Sequence, residues 1–316
     1  MTVTVTQANG VGQPILGGIA LMLLGVFLMT GMDVAAKWLL DTYSLSQLVF
    51  LRCAVSMLVI GLFVLIRGDL RALHTRRPGW HLLRAVMMTL ATFSFFYALH
   101  LMPLANVVII AFAAPVIVTA LSGPLLGEHV GIWRWSAVVV GFIGVIVVVR
   151  PAPGLIGSGA LLAVFATFMW AGLSLTARKL SASEPTAALS LYLFPLPMLI
   201  GAFGSIDSWV APTWQAWLLF ATCGIFGGLA FVAINAAFRR APATVIVPFE
   251  YTGLIWAIVA GVLFWQELPD TSTLVGAAVI ITSGLVILYR ETRTMSREGV
   301  QSDFALQDVV PAEDDR

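Results

Sequence analysis

Met102-Pro103-Leu104-Ala105 opens an apolar run that closes at Leu126-Gly127-Glu128, and Ala241-Pro242-Ala243-Thr244 opens another that closes at Trp265-Gln266-Glu267. Pro103 to Glu128 and Pro242 to Glu267 span the same 25 positions. The segments that follow end alike, in Gly141-Phe142-Ile143-Gly144 up to Arg150 and in Thr282-Ser283-Gly284 up to Arg290. Upstream, Met29-Thr30-Gly31 to Lys37 parallels Trp170-Ala171-Gly172 to Arg178 at a shift of 141. These matches divide the chain into a repeat at 15–150, a second at 154–290, and short tails at 1–14 and 291–316.

Composition says where such a chain lives. Of its 316 residues 59% are hydrophobic and 10% charged, with a mean hydropathy of +0.97, whereas a soluble domain carries about 25% charged residues. An ordinary soluble enzyme and a disordered chain are both excluded. The net charge of +1 gives no reason to expect a nucleic-acid partner. Ten of the charged residues fall in 291–316, which reads as a solvated, disordered tail. Cys53 and Cys223 lie inside apolar runs and suggest neither a disulfide framework nor a metal site.

A helix needs roughly 20 apolar residues to cross the hydrocarbon core. Runs of that kind are predicted at 15–38, 44–66, 81–100, 104–122, 132–150, 157–178, 186–206, 213–236, 243–265 and 271–289. The expected fold is therefore all-α, a polytopic membrane protein of ten transmembrane helices. The runs are continuous and do not alternate, which excludes a barrel. The first run is too long for a removable signal peptide and lacks a basic leader.

With the N-terminus inside, twelve basic residues collect on the cytoplasmic side, from Arg67 and Arg71 through Arg134 and Arg178 to Arg297. Only Lys37 and Arg150 face out, so both termini are placed in the cytoplasm. Each half then holds five spans, an odd number, and the second copy enters the membrane upside down. Inverted repeats around a midplane site are the architecture of many secondary transporters, which rock one half against the other.

At these residues the chain resembles the drug/metabolite transporter superfamily, in its ten-span form with two EamA-type domains. The resemblance covers about 15–290 and rests on Pro103-x-Ala105, Leu126-Gly127-Glu128, Trp133 to Val145, Arg239-Arg240-Ala241-Pro242-Ala243 and Glu267-Leu268-Pro269-Asp270. Asp33-Val34-Ala35-Ala36-Lys37-Trp38, Arg52 after Ser46-Gln47, Trp133-Arg134-Trp135 and Pro269 to Leu274 are similar to the branch of riboflavin and S-adenosylmethionine uptake transporters. Gln266 departs from the family's usual Gly before the second Glu, which puts the turn there in question.

Charges inside a span are costly, so each is a candidate for function. Asp33 and Lys37, four residues apart near the outer end of the first span, are spaced to pair on one face. They are read either as an interfacial ion pair with Lys37 snorkelling or as gate and substrate contacts. Arg52 and Glu250 each lie roughly 12 Å deep by a rise of about 1.5 Å per residue. They are candidates either for a packing bridge or for a substrate or proton site lining the central cavity. Neither recurs in the other repeat: Leu193 stands opposite Arg52 and Ala111 opposite Glu250.

Glu128 and Glu267, with Pro103 and Pro242, form a structural repeat motif in which the glutamates are expected to bond backbone N–H groups at the start of the next helix. Pro115, Pro195, Pro197 and Pro248 are expected to kink spans, and Gly224-x-x-x-Gly228 to bring two helices close. Tyr97, Trp170 and Tyr251 are cavity candidates for stacking on a flat ring or a cation, and Asn106 and Asn235 for hydrogen bonds. The four histidines, His74, His81, His100 and His129, fall in or near loops and read as solvated.

No Walker A loop, His-Glu-x-x-His motif, Gly-x-Ser-x-Gly elbow or Asp-rich diphosphate motif occurs. No cofactor, metal or catalytic residue is expected, and a membrane-embedded enzyme is the weaker class. The expected partners are a small-molecule substrate and the lipid bilayer, with a homodimer as the assembly considered. The resemblance implies a multi-pass permease of the bacterial inner membrane that takes up a heterocyclic nutrient. Riboflavin comes first and S-adenosylmethionine second, with amino-acid or drug efflux as the alternative.

Overall fold

The computed structural model of the chain describes residues 12–67, 74–126, 132–149, 157–180, 183–240, 247–286 and 289. Among these residues every regular element is helical. The first repeat supplies α1 (Gly12–Leu40), α2 (Leu45–Arg67), α3 (Pro78–Leu101), α4 (Leu104–Ala111), α5 (Ala114–Leu126) and α6 (Ile132–Val149). The second supplies α7 (Ser158–Leu180), α8 (Thr186–Leu191), α9 (Pro195–Gly204), α10 (Trp214–Arg240), a 3-10 turn (Val247–Tyr251), α11 (Thr252–Trp265) and α12 (Thr271–Val286). Seven helical stretches are long and apolar enough to cross a membrane, and Trp135–Val149, Phe249–Trp265 and Thr271–Val286 are shorter apolar helices.

Local chemistry sets the helix ends. Ser44 Oγ accepts from the Gln47 amide, Thr213 Oγ1 from the Ala216 amide and Asp270 Oδ1 from the Thr273 amide, which caps α2, α10 and α12. Pro78 starts α3, where a missing N–H costs nothing. Proline also explains two interruptions. Pro115 and Pro195 cannot bond the carbonyls four residues back, and α4 ends at Ala111 and α8 at Leu191, those same residues. Phe112 and Tyr192 then flatten to ψ −6° and ψ −5° before the chain resumes as α5 and α9.

The two halves pack through each other. The first helix of each half lies on the third span of the other: α1 on α10 and α7 on α3. Likewise α10 packs on α2 as α3 packs on α9, while α2 meets α9 and α4 meets α11. Swapping the halves reproduces this contact pattern. Small residues make the crossings close. A Cβ on Gly25 would lie 2.6 Å from Ile234 Cγ1, and one on Gly224 would lie 2.4 Å from Val55 Cβ. Gly144 sits against Gly276 and Ile280, and Ser283 Oγ donates to the Ala137 carbonyl at 2.6 Å, which joins α6 to α12.

At the repeat offset of Pro103 and Pro242, Phe112 is equivalent to Tyr251. Phe112 begins the break between α4 and α5 and Tyr251 ends the 3-10 turn before α11, and their rings meet edge to face at 5.4 Å. A residue in contact with its own repeat equivalent sits where a two-fold relation between halves places it.

The turn in question at Gln266 is kept. Gln266 takes φ 57° and ψ 26°, the left-handed conformation of a helix C-cap, and its amide bonds the Val262 carbonyl at 3.2 Å. For a residue with a Cβ this costs about 1 kcal/mol. Replacing Gln266 with Gly should therefore raise the melting midpoint of the purified protein by a few degrees, measured by scanning fluorimetry; an equal fall would show that the Gln side chain holds the turn.

Candidate functional site

The buried charges mark the interior of the site. Asp33 is seven positions before the end of α1 at Leu40, and Arg52 is seven positions after the start of α2 at Leu45. One turn joins the two helices, so both side chains lie at one level, roughly 10 Å from it. Arg52 is 2% exposed and Asp33 5%. They do not close an ion pair: Asp33 Oδ1 and Arg52 Nε have no hydrogen-bond partner.

Arg52 Nη1 and Nη2 instead reach Met32 Sδ and Cys53 Sγ, each at 3.5 Å, and its guanidinium lies 5.1 Å from the Phe96 ring. Sulfur is a weak acceptor. The Cys223 thiol donates to the Met32 carbonyl at 3.6 Å. Gly227 of α10 leaves the room, since a Cβ there would stand 2.8 Å from Met32 Sδ and 3.7 Å from Arg52 Nη1. The cluster thus lies where α1, α2, α3 and α10 meet.

An ion pair and a histidine–carboxylate contact flank it, and each joins the first repeat to the second. At the end of the bundle that carries the α1–α2 turn, Lys37 Nζ contacts Glu267 Oε2 at 2.7 Å and Oε1 at 2.9 Å. It also lies 4.6 Å from the Trp265 ring. The left-handed turn at Gln266 places Glu267 for this contact. At the opposite end, His81 Nε2 lies 3.3 Å from Glu184 Oε2, and Glu184 Oε1 accepts from the Arg76 amide. Burial alone would raise the Glu184 carboxyl. Bonds to Thr75, His81 and the Arg76 amide, with the His81 charge, outweigh that and hold it below the usual carboxylate value.

Several expectations change here. Asp33 and Lys37 do not pair along their helix, because Lys37 extends across to Glu267. Glu267 therefore binds a lysine of the other half, and the capping expected of it falls to Asp270. His81 is buried and paired with Glu184, not solvated. Among the described residues nothing joins Arg52 to Glu250. Glu250 stands on the 3-10 turn, which packs against α1 and α11. Equal depth does not fix the direction in which a side chain points around a bundle.

Tyr97 is 47% exposed and faces outward beside His100. The inward rings on α3 are its neighbours Phe95 and Phe96. Trp170 is half-buried against Phe95 at 4.9 Å, and Tyr251 is buried with its hydroxyl against Gly284. Asn106 is half-buried on α4, and Asn235 lies on α10. Pro103 precedes α4 as its cap residue, while Glu128 and Pro242 lie outside the described residues. Sequence reasoning passed over Arg84, buried on α3 with Nε and Nη1 unpartnered. Its signal was a lone arginine inside a predicted span.

A depression of about 500 Å³ at the start of α3 is lined by Arg77, Gly79, Trp80 and Leu83. It lies open at the surface, away from the Asp33–Arg52 cluster, so the enclosed charges and not this hollow define the candidate site.

An apolar helical bundle with charges sealed in its middle is an integral membrane protein built to handle a small molecule. The chain belongs to the EamA-like transporter family, whose profile matches residues 16–150 and again 157–289. It is similar to the S-adenosylmethionine uptake transporter of Rickettsia bellii, with 28% identity over 89% of this chain and 96% of that protein. A riboflavin transporter of Vibrio cholerae is 31% identical over 78% of this chain and 83% of its own length. The pseudopaline exporter of Pseudomonas aeruginosa is 29% identical over 85% and 95%. A solved crystal structure at 20% identity covers 88% of this chain and 96% of its own with a TM-score of 0.63, a likeness of fold.

Proposed function

We propose that the protein is a secondary transporter of the inner membrane that imports a small heterocyclic metabolite by alternating access. In this reading the three shorter helices also cross the membrane, giving ten spans in two inverted five-span halves with both termini in the cytoplasm. The observation that carries it is a set of buried charges between an ion pair and a histidine–carboxylate contact, one at each end of the bundle, each tying one half to the other. Breaking one pair while keeping its counterpart opens the interior to one side only, as rocking halves require. Phe96 beside Arg52, with Phe95 and Trp170 packed behind it, suits a flat ring.

Uptake of riboflavin and of S-adenosylmethionine by two kinds of relative fits a flat heterocycle as the common element. Expression of the chain should restore growth of a riboflavin or S-adenosylmethionine auxotroph that lacks its own uptake, at external concentrations where the empty host fails. Rescue of neither strain, together with new resistance to a toxic metabolite, would reverse the direction to export.

A further inference from the structure

We propose that Asp33 and Arg52 form a subsite for the α-amino-acid end of a substrate, Arg52 taking its carboxylate and Asp33 its ammonium. The inference rests on the transport reading above and names the chemical class within it. Three observations carry it. First, the two residues share one level, both are buried, and Arg52 Nη1 reaches the side chain of Met32, the neighbour of Asp33, with no ion pair between Arg52 and Asp33. Second, each keeps a buried polar atom without a partner, Asp33 Oδ1 and Arg52 Nε. Third, the remaining guanidinium contacts are two sulfurs and an aromatic ring.

An arginine placed to brace helices would spend its five donors on carbonyl or carboxylate oxygens. Arg52 spends none there. Leaving a guanidinium and a carboxyl group half-satisfied inside a membrane protein is expensive. A ligand that brings a carboxylate to the guanidinium and an ammonium to the Asp33 carboxyl offsets both costs at once, and an α-amino acid carries the two groups on one carbon. The planar guanidinium suits a carboxylate as a forked pair, and the carboxylate of Asp33 suits an ammonium. A neutral ring edge could bond the same groups but would leave both charges uncompensated. Leu193 replaces Arg52 in the second repeat and Ser174 stands opposite Asp33, so the site has one orientation.

The Phe96 ring lies against the Arg52 guanidinium at 5.1 Å and continues through Phe95 to Trp170, an aromatic row that begins at the charged cluster.

The test uses the full chain in proteoliposomes, with labelled S-adenosylmethionine as the probe. S-adenosylhomocysteine keeps the amino-acid end, and methylthioadenosine has the same nucleoside without it. The wild type should be inhibited at least about tenfold more strongly by the first than by the second, the size of one charge-assisted hydrogen bond. Asp33→Asn and Arg52→Gln should each collapse that ratio towards one, while Arg52→Lys keeps part of it.

Equal inhibition by both compounds in the wild type, which needs no variant to fold, overturns the proposal. So does a ratio unchanged in both charge-neutral variants, the result expected of a pair bridged only by water. Binding is read separately from ligand-induced thermal stabilisation of the purified protein with the same two compounds. Selective stabilisation without uptake supports the subsite and overturns the transport reading, whereas uptake of S-adenosylmethionine without selectivity does the reverse.

Discussion

Reversing either charge of the Lys37–Glu267 pair should lower uptake by at least tenfold, and reversing both should restore more than half of it. The side chains are 10% and 29% exposed, so this is a shielded pair and not a surface one. Lys37→Glu would set two carboxylates against each other beside the Trp265 ring, and Glu267→Lys two ammonium groups. Losing such a contact costs about 2 kcal/mol, which shifts a two-state equilibrium by roughly 30-fold. In the alternating-access cycle proposed above, the state penalised is the one closed at the α1–α2 end. Each single variant should therefore fold and bind ligand from that side yet fail to complete the cycle. Initial uptake rates, with ligand-induced thermal stabilisation as the folding control, measure both. Two singles that transport normally would leave the pair with no part in closure.

One methyl group on Gly224 should be among the most damaging small changes in the protein. Its Cβ would stand 2.4 Å from Val55 Cβ and 3.0 Å from the Arg52 carbonyl oxygen. Gly201→Ala should be comparably severe, since its Cβ would meet the Phe50 amide and the Ser46 carbonyl, each at 2.7 Å. Backbone cannot rotate out of the way, so α10 or α9 must move off α2, a strain of about 2–3 kcal/mol. A folded yield several-fold below wild type, read by fluorescence size-exclusion chromatography, is the expected outcome. Gly61→Ala is the contrast. Nothing lies within 4 Å of its Cβ, and removing a mid-helix glycine should stabilise α2 by up to about 1 kcal/mol. If all three variants behaved alike, close packing would not be what these glycines provide.

The helical spans and the duplication are legible because both are local or periodic features. Apolar runs announce spans, and the matched Pro-to-Glu intervals announce the repeat. Even the interruptions have a local cause, in prolines whose missing N–H ends a helix four residues earlier. The side-chain partnerships are not local. Lys37 has a carboxylate one turn away on its own helix, and the sequence offers Asp33 before it offers Glu267, which is 230 positions distant. His81 reaches Glu184 over 103 positions, so a histidine near a loop looks solvated until the second half folds against the first. Arg52 was recognisable as a costly charge, but its companion depends on direction around the bundle. The turn joining α1 and α2 sets Asp33 at the same level as Arg52 and no more.

The contact of Phe112 with Tyr251 carries a lesson about ancestry. Two identical copies of one repeat packed as a dimer would place one ring type twice at that spot. Every charge near the centre would come in duplicate as well, so an arginine at position 52 would bring a second at 193 into the same bilayer interior. Two unpaired like charges in so poor a dielectric repel strongly. Joining the copies into one gene removes the obligation to mutate both at once. Phenylalanine can then diverge from tyrosine, and one half can carry Arg52 and Asp33 while the other keeps Leu193 and Ser174. Fusion therefore lets a bundle with symmetric packing hold a molecule that has a head and a tail.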